Sequence, residues 1–374
     1  MLSLEKLSIL DHFSTLEDPR IDRHKKHSLI NIITISICAT MSGAENWVDM
    51  QDYGLEKKEW LSTFLELENG TPSHDTFRRV FSLIDTTKFQ KCYTEWINAI
   101  SQSVNSEHVA IDGKTLRRSF DLVSAIKPLH LVSAWSSASS FILAQLPVDD
   151  KSNEITAIPK LLDMLCIRGC IFTIDAIGAQ KKIAKQIVEK GGDYIFGLKD
   201  NNKNLHKEAK EFFARSSTAK FIQKHKDVDA DHGRIETREC FSASAALFRK
   251  TDAWDGMQSV VMIKSTREIN GKESTQHRFF ISSLDETDPK LLADTIRNHW
   301  GIENTLHWNL DMNFAEDSSR VREKTSAQNL ALLRRIIVGL FKNEDTEISI
   351  RRKIRKAYVD DNFMLRVLGV QPQS

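Results

Sequence analysis

Hydrophobic positions in the first hundred residues recur at helical spacing. Residues 29–41 are apolar on most faces, which is typical of a buried helix. After a turn signal, Ser73 is a candidate N-cap for a helix whose apolar residues fall at i, i+3, i+4 and i+7. These apolar residues are Phe77, Val80, Phe81 and Ile84. With a further helix over residues 86–104, the pattern predicts a helical N-terminal domain comprising residues 1–105.

The pattern changes from helical to extended at His108. Three β-prone apolar runs follow at short intervals (residues 108–120, 129–137 and 141–150), and they predict an antiparallel meander. Helical patterns then alternate with two continuous apolar runs, 170–176 and 193–198, typical of strands buried on both faces. This order predicts an α/β fold, a mixed sheet covered by helices.

Residues 216–285 interrupt that alternation with further strands and turns, including Asn270-Gly271, and indicate a β-rich insertion. Helical pattern resumes at Asp288. The predicted organisation therefore has four parts: the helical domain 1–105, an α/β core formed by 106–215 and 286–325, the β-rich insertion 216–285, and a C-terminal helical segment 326–374.

Composition narrows the class of protein. Of 374 residues, 41% are hydrophobic and 28% charged, which excludes disordered, collagen-like and disulfide-scaffold proteins. The most apolar stretch, 29–41, is too short to cross a membrane, and the acidic start of the chain does not resemble a signal peptide. Five scattered cysteines indicate reduced thiols and a cytoplasmic protein.

Charge is distributed unevenly, although the formal net charge is only +1. Residues 1–108 carry 11 Lys and Arg against 16 Asp and Glu, whereas residues 318–374 carry 12 against 6. The basic excess includes Arg351, Arg352 and Lys353, followed by Arg355 and Lys356. Such a segment indicates a polyanionic partner, and a solvated helix face is the alternative interpretation.

Two carboxylates stand at the ends of apolar strands. Asp112 follows Val109-Ala110-Ile111, and Asp175 follows residues 171–174. A charge in such a place is costly unless it is paired. If the strands are neighbours, a divalent cation would relieve the repulsion, and oxygen ligands favour Mg²⁺ or Mn²⁺. Alternatively, each Asp forms a turn or caps a helix.

A third candidate segment, residues 296–308, has an unusual composition. On a regular helix, His299, Glu303 and His307 would share one face. Zinc is the less favoured use of this set because the HExxH arrangement is absent. Two tryptophans, Trp300 and Trp308, argue against a freely solvated polar stripe.

Segments along nearly the whole chain resemble bacterial insertion-sequence transposases of the DDE type, most closely the H-repeat-associated transposases. They are SICATMSGAENWVDM (36–50), GTPSHDTFRRVF (70–81), AIDGKTLRRS (110–119), KSNEITAIPKLL (151–162), TIDAIGAQKKIA (173–184), GGDYIFGLKDNN (191–202), HGRIETR (232–238) and IRNHWGIENTLHWNLDMNFAEDSSR (296–320). Each segment alone is a weak signal, and the combination in this order is highly specific.

The resemblance implies an RNase H-like (retroviral-integrase-like) catalytic core interrupted by a β-rich insertion. It assigns the acidic triad to Asp112, Asp175 and Glu303, which are 63 and then 128 residues apart. The implied cofactors are two Mg²⁺ (or Mn²⁺) ions. The implied reaction is cleavage and strand transfer of double-stranded DNA at terminal inverted repeats and target DNA, within a homodimeric synaptic complex.

Candidate DNA ligands accompany the triad. They are Lys114, Arg117, Arg118, Lys199, Arg297, His299, Arg351, Arg352 and Lys353. Related transposases often place Tyr, Arg and Lys around the helical Glu, where this chain has Ile296, His299 and Leu310. Arg297, His299 or residues elsewhere are therefore expected to take over phosphate binding.

The N-terminal helices are a further candidate for DNA contact. Thr76, Arg78 and Arg79 lie early in the capped helix, a placement suited to entering a DNA groove. The alternative interpretation is that residues 1–105 form a purely structural cap.

Two other functions remain open at this point. One is a catalytically decayed protein of the same fold that binds DNA ends, and the other is a metal-dependent nuclease without joining activity. The intact acids Asp112, Asp175 and Glu303 favour a competent transposase.

Overall fold

The computed structural model describes residues 9–370, apart from residues 22, 24, 101–107, 121–126, 149–152, 232–233, 250 and 270. The end of the helix predicted to reach residue 104 and Asn270 of the predicted turn lie outside the described residues. Within the described part of the chain, no helix combines the length and apolar character needed to cross a membrane.

The helices in chain order are α1 (Ile9–Ser14), α2 (Leu29–Met41), α3 (Trp47–Glu56), α4 (Lys58–Leu61), α5 (His74–Leu83), α6 (Thr86–Ile100), α7 (Glu154–Asp163), α8 (Lys181–Glu189), α9 (Lys203–Ala214), α10 (Pro289–His299), α11 (Trp308–Met312), α12 (Lys324–Asn343), α13 (Ile350–Val359) and α14 (Asp361–Leu368). The strands are β1 (His108–Thr115), β2 (His130–Ser136), β3 (Ile142–Pro147), β4 (Ile171–Ile174), β5 (Asp193–Leu198), β6 (Gln223–Asp231), β7 (Arg234–Ser244), β8 (Ser259–Ile269) and β9 (Lys272–Ser282). The chain therefore has the mixed α/β composition that its hydrophobic pattern predicts.

These elements form two compact units. The first comprises Met1–Val104, Gly113–Asp150 and Glu303–Ser374, and the second comprises Asn105–Asp112 and Lys151–Ile302. Strand β1 begins in the second unit, and its last three residues belong to the first. The four-part division inferred from the sequence stays a prediction.

The first unit is mainly helical and contains the β2–β3 hairpin, whose strands pair antiparallel as predicted. Helix α5 begins at the predicted cap, where the Ser73 hydroxyl accepts from the Thr76 backbone N–H. Helix α12 is buried over residues 326–341. Gly339 is required there because a Cβ would collide with the Phe141 ring.

The second unit contains strands in the order β1-β4-β5-β9-β8-β7-β6. Strands β1, β4 and β5 run parallel, and β9 joins the other edge of β5 antiparallel. The segment predicted as a β-rich insertion therefore extends the same sheet. Helix α10 packs Leu292 and Ile296 against Ile195 and Val261 of that sheet.

A fully buried ion pair supports the first unit. Arg335 Nη1 of α12 lies 2.6 Å from Glu316 Oε1, and both side chains are 0% exposed. Arg335 Nη1 also donates to the Ala331 carbonyl at 2.9 Å. Because both charges are desolvated, each depends on the other for its stability.

We expect Arg335→Met to lower the free energy of unfolding by about 3–5 kcal/mol, because it leaves the Glu316 carboxylate buried without a cation. Replacing both residues, with Glu316→Leu added, is expected to recover most of the loss. Urea denaturation measures both effects. Lys88→Met, which removes the exposed Lys88–Glu17 pair, is the control and should leave stability nearly unchanged, because solvent screens the two charges. An equally small effect of Arg335→Met would contradict the prediction.

Candidate functional site

The ends of two neighbouring parallel strands define the candidate site. In the register of β1 against β4, Ile111 pairs with Ile174. Asp112 directly follows Ile111, and Asp175 directly follows Ile174. Both Asp residues are half-buried. Adjacent strands are about 4.8 Å apart, so the two carboxylates leave the sheet side by side at one edge. The carboxyl-end edge of parallel strands is where open α/β sheets bind ligands.

Asp175 also shapes the loop that follows β4. Its Oδ1 accepts from the backbone N–H groups of Ile177 at 3.0 Å and Gly178 at 3.2 Å. These hydrogen bonds form an Asp turn, which is the alternative role that the sequence allowed for Asp175. Gly197 of β5 lies close by, since a Cβ there would be 3.0 Å from the Ala176 nitrogen. The turn fixes the carboxylate orientation and does not exclude a metal, because each carboxylate oxygen has two lone pairs.

The donor chemistry at this edge suits a hard divalent cation. Asp112 and Asp175 supply oxygen atoms, which Mg²⁺ and Mn²⁺ prefer. Across the described residues, no group of three or more His, Cys, Asp and Glu side chains is placed to hold a metal ion. The geometry in the second unit therefore provides two carboxylates.

Glu303 lies in the first unit and is exposed. The regular helix expected over residues 296–308 is wrong, because α10 ends at His299 and residues Ile302–His307 form a π-helix that leads into α11. A π-helix bonds residue i to i+5, so the four-residue spacing no longer keeps one face. The predicted stripe of His299, Glu303 and His307 is accordingly broken.

His299 takes part in a neutral hydrogen-bonded chain beside the strand ends. Its Nδ1 lies 2.8 Å from Thr173 Oγ1 on β4, and His108 Nε2 lies 2.7 Å from the same hydroxyl. Burial lowers the pKa of His299 to about 4 and that of His108 to about 3. Both imidazoles are therefore neutral at pH 7.

The predicted DNA ligands divide into exposed and buried groups. The exposed ones are Arg117, Arg118, Lys199, Arg297, Arg351 and Arg352. Arg297 pairs with Asp229 at 2.9 Å in the second unit. Lys114 and Lys353 are buried, at 9% and 4% exposure. Lys353 donates to the carbonyls of Phe341 and Glu344 and so joins α13 to the end of α12.

The first unit contains a basic groove that joins Arg78, a candidate DNA contact from the sequence, to Arg320 and Arg322, which sequence reasoning missed. The groove has a volume of about 560 Å³, and Arg78, Arg320 and Arg322 line it together with Trp47 and several serines. A neighbouring concavity of about 500 Å³ includes Arg79 and Thr76. The run Ser318-Ser319-Arg320-Val321-Arg322 was the available signal, since it combines hydroxyl groups with two cations.

Comparison with known proteins identifies the family. Residues 10–97 match the family described as DDE_Tnp_1-associated, and residues 104–340 match the family described as Transposase DDE domain. A piggyBac transposase synaptic complex with hairpin DNA aligns with a TM-score of 0.43 and 10% identity, over 99% of this chain and 79% of that one.

Two relatives match almost end to end. The H repeat-associated putative transposase YhhI of Escherichia coli (strain K12) is 37% identical over 98% of this chain and 99% of its own length. The putative transposase YncI of Escherichia coli O157:H7 is 35% identical over 97% of this chain and 94% of its own length. The family indicated by the sequence segments is thus confirmed, and this chain belongs to the transposases with a DDE domain.

Proposed function

We propose that this protein is a metal-dependent transposase that cleaves DNA at the ends of an insertion sequence and joins those ends to target DNA. The observation that carries the proposal is the parallel pairing of β1 with β4, which sets Asp112 beside Asp175. Family membership supports it. Glu303 is proposed as the third carboxylate, and the three residues together would hold two Mg²⁺ or Mn²⁺ ions.

The sheet of the second unit supports an RNase H-like catalytic core. Two of the three parallel strands, β1 and β4, lead to the two Asp residues, and α10 packs on β4, β5, β7 and β8. Strands β6–β9 would be the family's β-rich insertion, built onto the edge of β5. This arrangement puts the proposed metal edge on short, buried strands, which are rigid supports for catalytic groups.

The chain's own residues prepare the site for a cation. The Asp175 turn orients one carboxylate, and the hydrogen bonds of Thr173 with His108 and His299 hold the neighbouring backbone. Because both histidines stay neutral, they add no positive charge that would compete with a metal. Two bound divalent ions would activate a water or a 3′-hydroxyl and stabilise the leaving oxygen. No covalent intermediate with the protein is required.

DNA binding is assigned to the basic surfaces of the first unit. The groove lined by Arg78, Arg320 and Arg322 and the exposed Arg351 and Arg352 present guanidinium groups, which suit phosphate oxygens. Glu45 and Glu323 also line the groove, so its three arginines exceed its carboxylates by one charge. Two ends react together in transposition, and we therefore propose a homodimer in the synaptic complex.

The triad is tested by Asp112→Asn, Asp175→Asn and Glu303→Gln. Each should lower metal-dependent cleavage of an element end by at least about 100-fold, because bound metal ions stabilise the transition state by several kcal/mol. DNA-end binding should be retained. Asp193→Asn is the matched control, since this half-buried carboxylate lies at the opposite, amino end of β5. Wild-type cleavage by any triad variant removes that residue from the site.

A strand-transfer assay with paired terminal inverted repeats separates the competing functions. Cleavage with joining supports the transposase, whereas cleavage without joining identifies a nuclease. Binding without cleavage identifies a decayed, end-binding protein.

The basic groove is tested by replacing Arg78, Arg320 and Arg322 with Gln. Each lost phosphate contact should reduce the salt slope of duplex binding by about 0.9. The loss should be similar for element ends and random DNA, because phosphates carry no sequence information. Lys88→Gln, an exposed lysine of the same unit, is the control. An unchanged slope would mean that the groove is a solvated surface.

The C-terminal segment is tested separately with Arg351→Gln and Arg352→Gln combined. A decrease in salt slope of up to about 1.8 is expected, 0.9 for each phosphate contact. Lys353 is left unchanged because its ammonium group binds protein oxygens. A slope equal to that of the wild-type chain would assign both arginines to solubility alone.

A further inference from the structure

Lys114 makes contacts that its predicted role as a phosphate ligand does not explain. It lies on β1, two residues after Asp112, and only 9% of it is exposed. Its Nζ lies 2.8 Å and 2.7 Å from the two carboxylate oxygens of Asp311 on α11. Asp317 Oδ1 lies 3.6 Å away. Lys114, Asp311 and Asp317 all belong to the first unit.

The charges around Lys114 balance one another. Asp317 also pairs with the exposed Arg117, at 3.2 Å. Two cations therefore meet two carboxylates. A DNA phosphate would have to displace Asp311 from a desolvated lysine, which costs more than binding an exposed cation. The cluster is built to hold protein segments together, whereas a phosphate site would keep its cation available.

The segment held in this way carries Glu303. Helix α11 continues directly from the π-helix Ile302–His307, so Asp311 lies one short stretch beyond the proposed metal ligand. At the end of the π-helix, burial lowers the pKa of His307 to about 3, and the nearby Arg335 and Lys114 contribute. His307 is therefore neutral, and the Lys114–Asp311 pair supplies the charge interaction between α11 and β1.

We propose that Lys114 is a positioning residue: its ion pair with Asp311 holds α11, and with it the preceding segment that carries Glu303, against the last residues of β1, and so prepares Glu303 for metal binding. This inference rests on the proposed function, because it requires Glu303 to be a metal ligand. It replaces the direct phosphate contact expected for Lys114 from the sequence. The ion pair acts on Glu303 through the backbone of α11 and the π-helix.

The experiment compares Lys114→Met, Asp311→Asn, their combination and Lys114→Arg in the full chain. Mn²⁺ affinity is measured by calorimetric titration without DNA. Both single variants should bind Mn²⁺ about tenfold more weakly, as for partners that orient metal ligands. The double variant should be no weaker than either single variant, because the same interaction is removed. Lys114→Arg should restore affinity.

Lys88→Met is the matched control, since it removes the exposed Lys88–Glu17 pair of the same unit. It should leave Mn²⁺ affinity unchanged. Thermal unfolding is recorded for every variant, and Asp311→Asn provides the same test if Lys114→Met does not fold.

Three outcomes would overturn the inference. If Lys114→Met reduces the salt slope of duplex binding by about 0.9 while Asp311→Asn does not, Lys114 contacts phosphate. If both variants lose stability but keep wild-type Mn²⁺ affinity, the pair is only structural. If the wild-type chain itself binds no Mn²⁺, the proposed function fails, and this inference fails with it. The first two outcomes leave the proposed function standing.

Discussion

The parallel register of β1 with β4 is the constraint on which the candidate site depends. Because Ile111 pairs with Ile174, the residues that follow, Asp112 and Asp175, emerge together at one edge of the sheet. A slip of one residue would turn every side chain of a strand to the opposite face. The strands are buried, so packing opposes such a slip. The same hydrophobic burial that stabilises the strands thus brings the two carboxylates to one edge of the sheet.

Burial also decides what the chain's cations can do. Lys114, Arg335 and Lys353 are all desolvated, and each binds a carboxylate of the first unit. Such groups hold helices and strands in place, because separating either partner leaves a buried charge. Only the exposed arginines keep guanidinium groups that solvent or a ligand can reach. A basic residue close in sequence to a candidate metal ligand is therefore not necessarily a phosphate ligand, and its exposure and partners decide its role.

Much of the local structure could be predicted from short-range patterns. The cap at Ser73 and the buried face of α5 follow from spacing within one helix, and the strands at 171–174 and 193–198 follow from continuous apolar runs. The π-helix at the Glu303 segment could not be predicted from the sequence. A π-helix has the same local composition as an α-helix, and the choice between them depends on packing around it.

The sequence by itself determined the family, the mixed α/β class and the two strand-end carboxylates, because motifs and hydrophobic periods are properties of neighbouring residues. Tertiary structure decided that β9 pairs with β5, that Lys114 binds Asp311, and that Arg78 shares a groove with Arg320. These pairs are tens to hundreds of residues apart. Their association depends on burial and charge pairing summed over the folded chain, which no local pattern contains.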